Sequence, residues 1–369
     1  MKIINVCGAR PNFMKIAPLM RAFASRPGIE PFLLHTGQHY DENMNRSFFE
    51  ALNIPKPDAN LEVGSGSHAA QTAAIMQRFE PVLLEQKPDA VLVVGDVNST
   101  VACALVSVKL GVPIIHVEAG LRSFDRTMPE EINRLVTDTL SELLFVTERS
   151  GVENLTREGV DPAKIHLVGN VMIDTLREHE QLSRESRVLD DLKLTAREYA
   201  VLTLHRPANV DDPERFAGIC DALDHVQRTH TVVFPVHPRT LANLKRNGLH
   251  DRLSAMPNMR LAEPLGYLDF LRLMSDAAVV LTDSGGIQEE TTVLGVPCLT
   301  LRDNTERPVT IEQGTNELVG TTPDRIIAAF DRSREASRAV RIPELWDGRA
   351  GERIADLILE WGRARSVQG

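Results

Sequence analysis

A chain of 369 residues is long for one hydrophobic core and suits two domains of roughly 150–200 residues each. Hydrophobic residues make up 43% and charged residues 25%, a globular composition, and no stretch nears the roughly 18 uninterrupted apolar residues of a membrane span. The formal charge of −10 (41 Lys and Arg against 51 Asp and Glu) argues against a nucleic-acid partner, yet a few cations and N–H groups still suffice for a small anion.

The opening MKIINVC is too short and too weakly charged for a secretory signal, so a cytoplasmic location is the expectation. Cys7, Cys103, Cys220 and Cys298 form no CxxC pair and read as buried thiols in a reducing compartment.

In chain order, apolar runs at 3–7, 32–35, 90–95, 113–117, 143–147 and 165–169 alternate with helical patterns at 15–26, 67–86, 99–110 and 130–141. Continuous apolar runs are the mark of strands buried on both faces, so the pattern predicts a parallel sheet covered by helices. Strand signals lapse over the polar stretch 178–197. They resume at 199–204, 231–236, 259–262, 277–282 and 297–301, with helices near 213–228, 240–247, 267–275, 287–294 and 324–331. A last helix, about 350–365, carries Ile354, Leu357, Ile358 and Trp361 at helical spacing. Periodicity alone does not say which domain it covers.

Ligands of open parallel sheets sit beyond the C-terminal strand ends, so the residues after each run matter most. The first run is followed by GARPNFMK at 8–15, where Gly8 permits a tight turn and Arg10 and Lys15 suit an anion near a helix start, or else face solvent. GSGSHA at 64–69 only superficially matches a dinucleotide loop and reads better as the turn that opens a long helix. Asp96 ends the third run. HVEAGLR at 116–122 brings His116, Glu118 and Arg122, and PEE at 129–131 opens a helix. Glu130 there suits either proton transfer or the positive end of the helix, but three acidic positions at neighbouring loops favour acid–base work.

In the second half, His205 and Arg206 follow one strand and His237 the next, with none of the compact spacing of a metal site. DSGGIQEE at 283–290 is the strongest local signal. Ser284, Gly285 and Gly286 can turn N–H groups toward a diphosphate at a helix start, and Glu290, one turn on, can accept from ribose hydroxyls. No GKS or GKT follows, which disfavours a P-loop hydrolase. Arg302 and Arg307 are further candidates for neutralising phosphate.

Taken in order, residues 8–15, 36–39, 95–96, 116–122, 129–134, 169–174, 205–206, 235–237, 283–290 and 305–308 resemble the motifs of the non-hydrolysing UDP-N-acetylglucosamine 2-epimerases. The resemblance spans almost the whole chain. It implies two Rossmann-like domains of GT-B type with a cleft between them and a C-terminal helix that returns to the first; with the boundary placed in the polar stretch 178–197, the domains are 1–180, joined by the helix 350–369, and a UDP-binding domain at 181–349. It further implies a homodimer with a UDP-sugar substrate and no cofactor or metal. By that resemblance Asp96, Glu118, Glu130 and His205 are catalytic. Arg10, Lys15, His39, Arg122, Arg206, His237, Ser284, Gly285, Gly286, Glu290 and Arg307 bind substrate.

The route implied eliminates UDP across C1–C2 to a 2-acetamidoglucal and adds it back after a proton reaches C2 from the other face. Two stretches depart from the family pattern: HRPANVD, with Pro207 and Ala208 where polar residues are usual, and GQHYDENMNRSF. They leave room for a modified UDP-N-acetyl amino sugar as substrate. Hydrolysis to free N-acetylmannosamine, a GT-B glycosyltransferase and a non-catalytic nucleotide-sugar binder are the competing functions.

Overall fold

The computed structural model describes residues 1–38, 49, 51–335 and 341–368, and divides them into two compact units, Met1–Thr175 with Glu344–Gly369 and Leu176–Pro343. The first division falls inside the helix Val171–Ser183, which occupies the start of the polar stretch where strand signals lapse.

The first unit holds seven strands, β1 (Lys2–Cys7), β2 (Glu30–His35), β3 (Ala59–Asn60), β4 (Ala90–Val94), β5 (Ile114–Ala119), β6 (Leu143–Val146) and β7 (Ile165–Leu167). Their order is β3-β2-β1-β4-β5-β6-β7, and every pairing is parallel. All residues of β4 and β5 are buried, as strands covered on both faces must be. One face packs Ile4, Val6, Val91 and Val93 against Ile75, Phe79 and Leu83 of the helix His68–Gln86. That helix starts at Ser67, whose hydroxyl accepts from the Ala70 N–H, so GSGSHA is a capping turn.

The second unit repeats the plan with β8 (Tyr199–Thr203), β9 (Thr231–Pro235), β10 (Met259–Ala262), β11 (Val279–Thr282), β12 (Cys298–Thr300) and β13 (Asn316–Leu318). Their order is β10-β9-β8-β11-β12-β13, again all parallel. Both orders are Rossmann-like, reversing direction between β1 and β4 and between β8 and β11. Phe216, Ile219, Leu223 and Phe330 fill the core on one side of the second sheet.

Several expectations need correction. Strands β3 and β13 add to those expected: one is two residues long, and the other carries Asn316 and Glu317, so neither shows an apolar run. The first helix is Arg10–Ala24, not 15–26. Pro11 suits a first turn, and the Asn12 side chain accepts from the N–H groups of Gly8 and Ala9 at 3.0 and 3.2 Å. Those two N–H groups are thus satisfied within the turn, and Lys15 lies inside a helix.

The C-terminal helix Ala350–Gln368 belongs to the first unit. Ile354 and Ile358 are fully buried, and Asp174 caps its start by accepting from the N–H groups of Ala350 and Gly351 at 3.1 and 2.7 Å. Burial pushes the Asp174 carboxyl up to about 6 although those N–H groups pull it down. Ahead of the helix, Trp346 is buried and donates its indole N–H to the Thr147 carbonyl at 2.9 Å. No described helix is long and apolar enough to cross a membrane.

Gly120, at the end of β5, has φ +79°, and a Cβ there would lie 2.5 Å from the Gly151 carbonyl oxygen. Gly159 has a similar φ of +82° but open space around it. Gly120→Ala is therefore expected to cost about 1–3 kcal/mol of stability, and Gly159→Ala only the smaller backbone strain. Thermal unfolding of the two variants checks this; equal Tm values would contradict it.

Candidate active site

In the first unit the chemistry gathers at the C-terminal ends of β4 and β5. Glu118 sits where the β5–β6 register shifts, with φ +74°, so the strand bends and the carboxylate leaves the ladder. It is buried and ion-paired with Lys15, which is buried too. The Lys15 ammonium runs close under Gly95, where a Cβ would meet it at 2.9 Å. Lys15 therefore offsets Glu118 before it can serve any phosphate.

Asp96 is half-buried, with one carboxylate oxygen 3.0 Å from Nε of Arg134 and its carbonyl accepting from Asn133. Of the PEE run, Glu131 holds the loop in place. It is buried and accepts from the N–H groups of Ser123 and Phe124, the Ser123 hydroxyl and Arg134. Glu130, beside it in the first turn of the helix Pro129–Leu140, is half-buried, and its side chain makes no hydrogen bond or ion pair among the described residues. Three carboxylates thus occupy three unequal settings.

His116 and Arg122 serve as structure. Both are buried around Asp138, which lies 2.6 Å from His116 Nδ1 and 2.7 Å from an Arg122 nitrogen and accepts the Gly120 N–H. Burial works against the Asp138 charge, but His116 and Arg122 hold its carboxyl below the ordinary range. His116 Nε2 meets the Gly95 carbonyl at 2.9 Å, tying the β4 and β5 ends together. Arg122 also grips Glu158 with two nitrogens at 2.8 and 2.7 Å. Arg122, expected to bind substrate, is buried with its guanidinium between two carboxylates, Asp138 and Glu158.

In the second unit, β11 delivers Asp283 and the helix Gly285–Leu294. The Ser284 N–H is taken by Thr282 Oγ1 at 3.0 Å, and no side chain caps the helix. The N–H groups of Gly285, Gly286 and Ile287 have no acceptor among the described residues, and neither has the Ser284 hydroxyl a partner. Such a helix start is a ready anion site. A Cβ on Gly285 would meet an Arg307 nitrogen at 2.5 Å, so only glycine fits. Arg307 itself is buried and ion-paired with Glu289, at 2.8 Å, and Glu306. It shapes the glycine cradle, with the carboxylates of Glu289 and Glu306 beside its guanidinium.

His205, half-exposed, sits 2.9 Å from Asp283, and Arg206 donates to the Asp283 carbonyl at 3.0 Å. His237 accepts the Arg239 N–H on Nδ1 at 3.3 Å and so caps the helix Pro238–Arg246. Arg10 opens the first helix, and His39 lies outside the described residues. No three His, Cys, Asp or Glu side chains come together as a metal cage among the described residues.

The family model for UDP-N-acetylglucosamine 2-epimerase matches residues 21–359. The chain belongs to the non-hydrolysing UDP-N-acetylglucosamine 2-epimerase family. It is an enzyme of that family, with the two Rossmann-like units of a GT-B fold. It is similar to the UDP-N-acetylglucosamine 2-epimerase of Methanocaldococcus jannaschii, 43% identical over 98% of this chain and all of the relative. The crystal structure of a M. jannaschii UDP-GlcNAc 2-epimerase in complex with UDP-GlcNAc and UDP is also similar, with a TM-score of 0.92 over 98% of this chain and 100% of that one. A third similar protein, the UDP-2,3-diacetamido-2,3-dideoxy-D-glucuronate 2-epimerase of Pseudomonas aeruginosa, is 41% identical over 97% of this chain and 99% of its own.

Within this epimerase, sequence reasoning passes over Glu131, Arg134, Asp138 and Tyr267. Glu131 and Arg134 have the i, i+3 spacing of a helical ion pair, a usable signal. Tyr267 has none. Its hydroxyl donates to Glu290 at 3.4 Å from a helix that begins well upstream of the DSGG run. Glu290 is buried, and burial together with the neighbouring Glu289 pushes its carboxyl up from 4.5 to about 8, against the pull of Tyr267.

Between about pH 4.5 and 8 the folded chain therefore keeps a proton on Glu290 that the unfolded chain releases. Stability contributed at this site falls as pH rises through that window. Glu290→Gln is expected to match the parent near pH 5 and exceed it by on the order of a few kcal/mol near pH 9. Urea unfolding at both pH values measures this; a pH-independent difference would remove Glu290 as its source.

Proposed function

We propose that the protein interconverts UDP-N-acetylglucosamine and UDP-N-acetylmannosamine without net hydrolysis, in the cytoplasm. Carbon 2 of the pyranose has no adjacent carbonyl, so its proton is not acidic enough for simple exchange. In the proposed route a carboxylate takes the C2 proton, the C1=C2 bond forms, and the C1–O bond breaks with its electron pair leaving on UDP. A proton then reaches C2 from the opposite face while a diphosphate oxygen bonds C1 again. No water is consumed, and C2 gains one solvent hydrogen.

Asp96, Glu118 and Glu130 are the candidates for the two proton transfers, with Lys15 balancing Glu118. The first-turn N–H groups of Gly285–Leu294, the Ser284 hydroxyl, Arg206 and His205 would receive the diphosphate as charge develops on it, and Glu290 the ribose hydroxyls. Arg10 is assigned to the phosphate side by the family resemblance. The observation that carries the reading is the set of three carboxylates in unequal settings. A protein that merely held a UDP-sugar would need none of them. The relative acting on a diacetamido glucuronate, nearly as similar as the one named for UDP-N-acetylglucosamine, favours a modified UDP-amino sugar as the second reading.

Turnover of each sugar in deuterated water, followed by proton NMR, separates these readings. The expected product is UDP-N-acetylmannosamine with one deuterium at C2. Free N-acetylmannosamine would indicate hydrolysis, and binding without exchange a non-catalytic protein. In the same assay Glu118→Gln and Glu130→Gln should lose about 10²–10⁴-fold in rate while still binding UDP, with near-normal rates in both removing them from the mechanism.

The working form is proposed to be a homodimer. The helices His68–Gln86 and Asn98–Lys109 pack side by side, and their outer side exposes Leu84 (55%), Val108 and Leu110. Sedimentation velocity is expected to show a dimer that Leu84→Glu with Val108→Glu converts to monomer. A monomeric parent would end the proposal.

A further inference from the structure

His205 follows β8 and Asp283 follows β11, the neighbouring strands at which the order of the second sheet reverses. Directly below them Thr203 and Thr282 join hydroxyls across the two strands at 2.7 Å. Asp283 is fully buried, and its carboxylate collects donors from every side. The His205 N–H lies 3.2 and 3.1 Å from its two oxygens, the Arg206 N–H 3.0 Å and the Asn209 amide nitrogen 3.2 Å from one of them. The remaining approach is His205 Nδ1, at 2.9 Å. Burial opposes ionisation of Asp283, yet the His205 ring and the backbone N–H groups hold its carboxyl below the ordinary range.

An ionised carboxylate can only accept. The His205 nitrogen facing it must then carry the hydrogen. With Nδ1 committed, the ring's other nitrogen is the one left for chemistry, and the side chain is 52% exposed. The charged groups nearby are Arg206, bound through Nε to the Asp283 carbonyl, and Glu306, 3.8 Å from Arg206.

We infer that Asp283 is a positioning residue: it fixes His205 as the Nδ1–H tautomer, with Nε2 presented to take up a proton and donate it to the diphosphate. This rests on the catalytic reading of His205 given above. The buried carboxylate steadies the imidazolium that forms, so the ring can cycle as UDP leaves and returns. The DSGG run thus acts in two directions from one turn of chain, its glycines toward the anion and its aspartate toward the histidine.

Asp283→Asn keeps the size of the side chain but leaves one acceptor oxygen. That oxygen is claimed by the two backbone N–H groups, so the amide NH2 meets Nδ1 and the hydrogen moves to Nε2. In ring-15N-histidine protein the parent is expected to show a protonated Nδ1 and a bare Nε2 for His205, and Asp283→Asn the reverse. The rate should fall about 10²–10⁴-fold, with KM and UDP affinity changed less than about threefold. In a His205→Gln background the same substitution should add no further loss in rate.

A parent spectrum with bare Nδ1, or losses that simply multiply in the double variant, would overturn the inference. If Asp283→Asn fails to fold, the parent spectrum alone still decides the tautomer. A protonated Nδ1 in a protein that epimerises nothing upholds the pairing and sinks the epimerase reading, whereas bare Nδ1 in an active enzyme does the opposite.

Discussion

A carboxylate with no access to water governs the end of the first sheet. Asp138 sits among His116, Arg122 and the Gly120 N–H, and every one of these contacts also fixes a piece of the site's frame. Through His116 it reaches the carbonyl of Gly95, next to Asp96. Through Gly120 it holds the chain just beyond Glu118. Removing one partner from such a cluster leaves an uncompensated buried charge, typically a loss of about 3–5 kcal/mol. The left-handed backbone at Glu118 is tolerable because the residues on both sides of it are pinned this way.

The two sheets use one device for different ends. Each sets a buried aspartate against a histidine, Asp138 with His116 of β5 and Asp283 with His205 at the reversal of strand order. In the first, both ring nitrogens are occupied and the pair is a brace. In the second, one nitrogen is occupied and the ring is half-exposed. Burial of the ring, 0% exposed at His116 against 52% at His205, is what sets the two pairs apart.

Burial on both faces leaves continuous apolar runs, as in Ala90–Val94 and Val279–Thr282, and these made the parallel strands legible in the sequence. Strands β3 and β13 stayed hidden because their few residues are partly polar. So did the start of Arg10–Ala24, where Asn12 turns back onto Gly8 and Ala9. Among the site candidates, the place of Glu118 at a strand end, of Glu130 in a first helical turn and of Ser284–Gly286 at a helix start could be read. The pairing of cations could not. Lys15 and Arg307 read as phosphate ligands and Arg122 as a substrate ligand, and linear sequence does not reveal that Glu118, Glu289 and Glu158 respectively come to meet them.

Asp174 and Trp346 carry a consequence for how the chain is made. The second unit is one continuous stretch, Leu176–Pro343, whereas the first is assembled from both ends of the sequence. During synthesis the residues of the first sheet emerge early, yet the N–H groups that satisfy Asp174 and the indole that covers Thr147 arrive only after the whole of the second unit has left the ribosome. The unit translated second is thus the one that can finish folding first, and the early sheet must wait, incompletely covered, for its last helix.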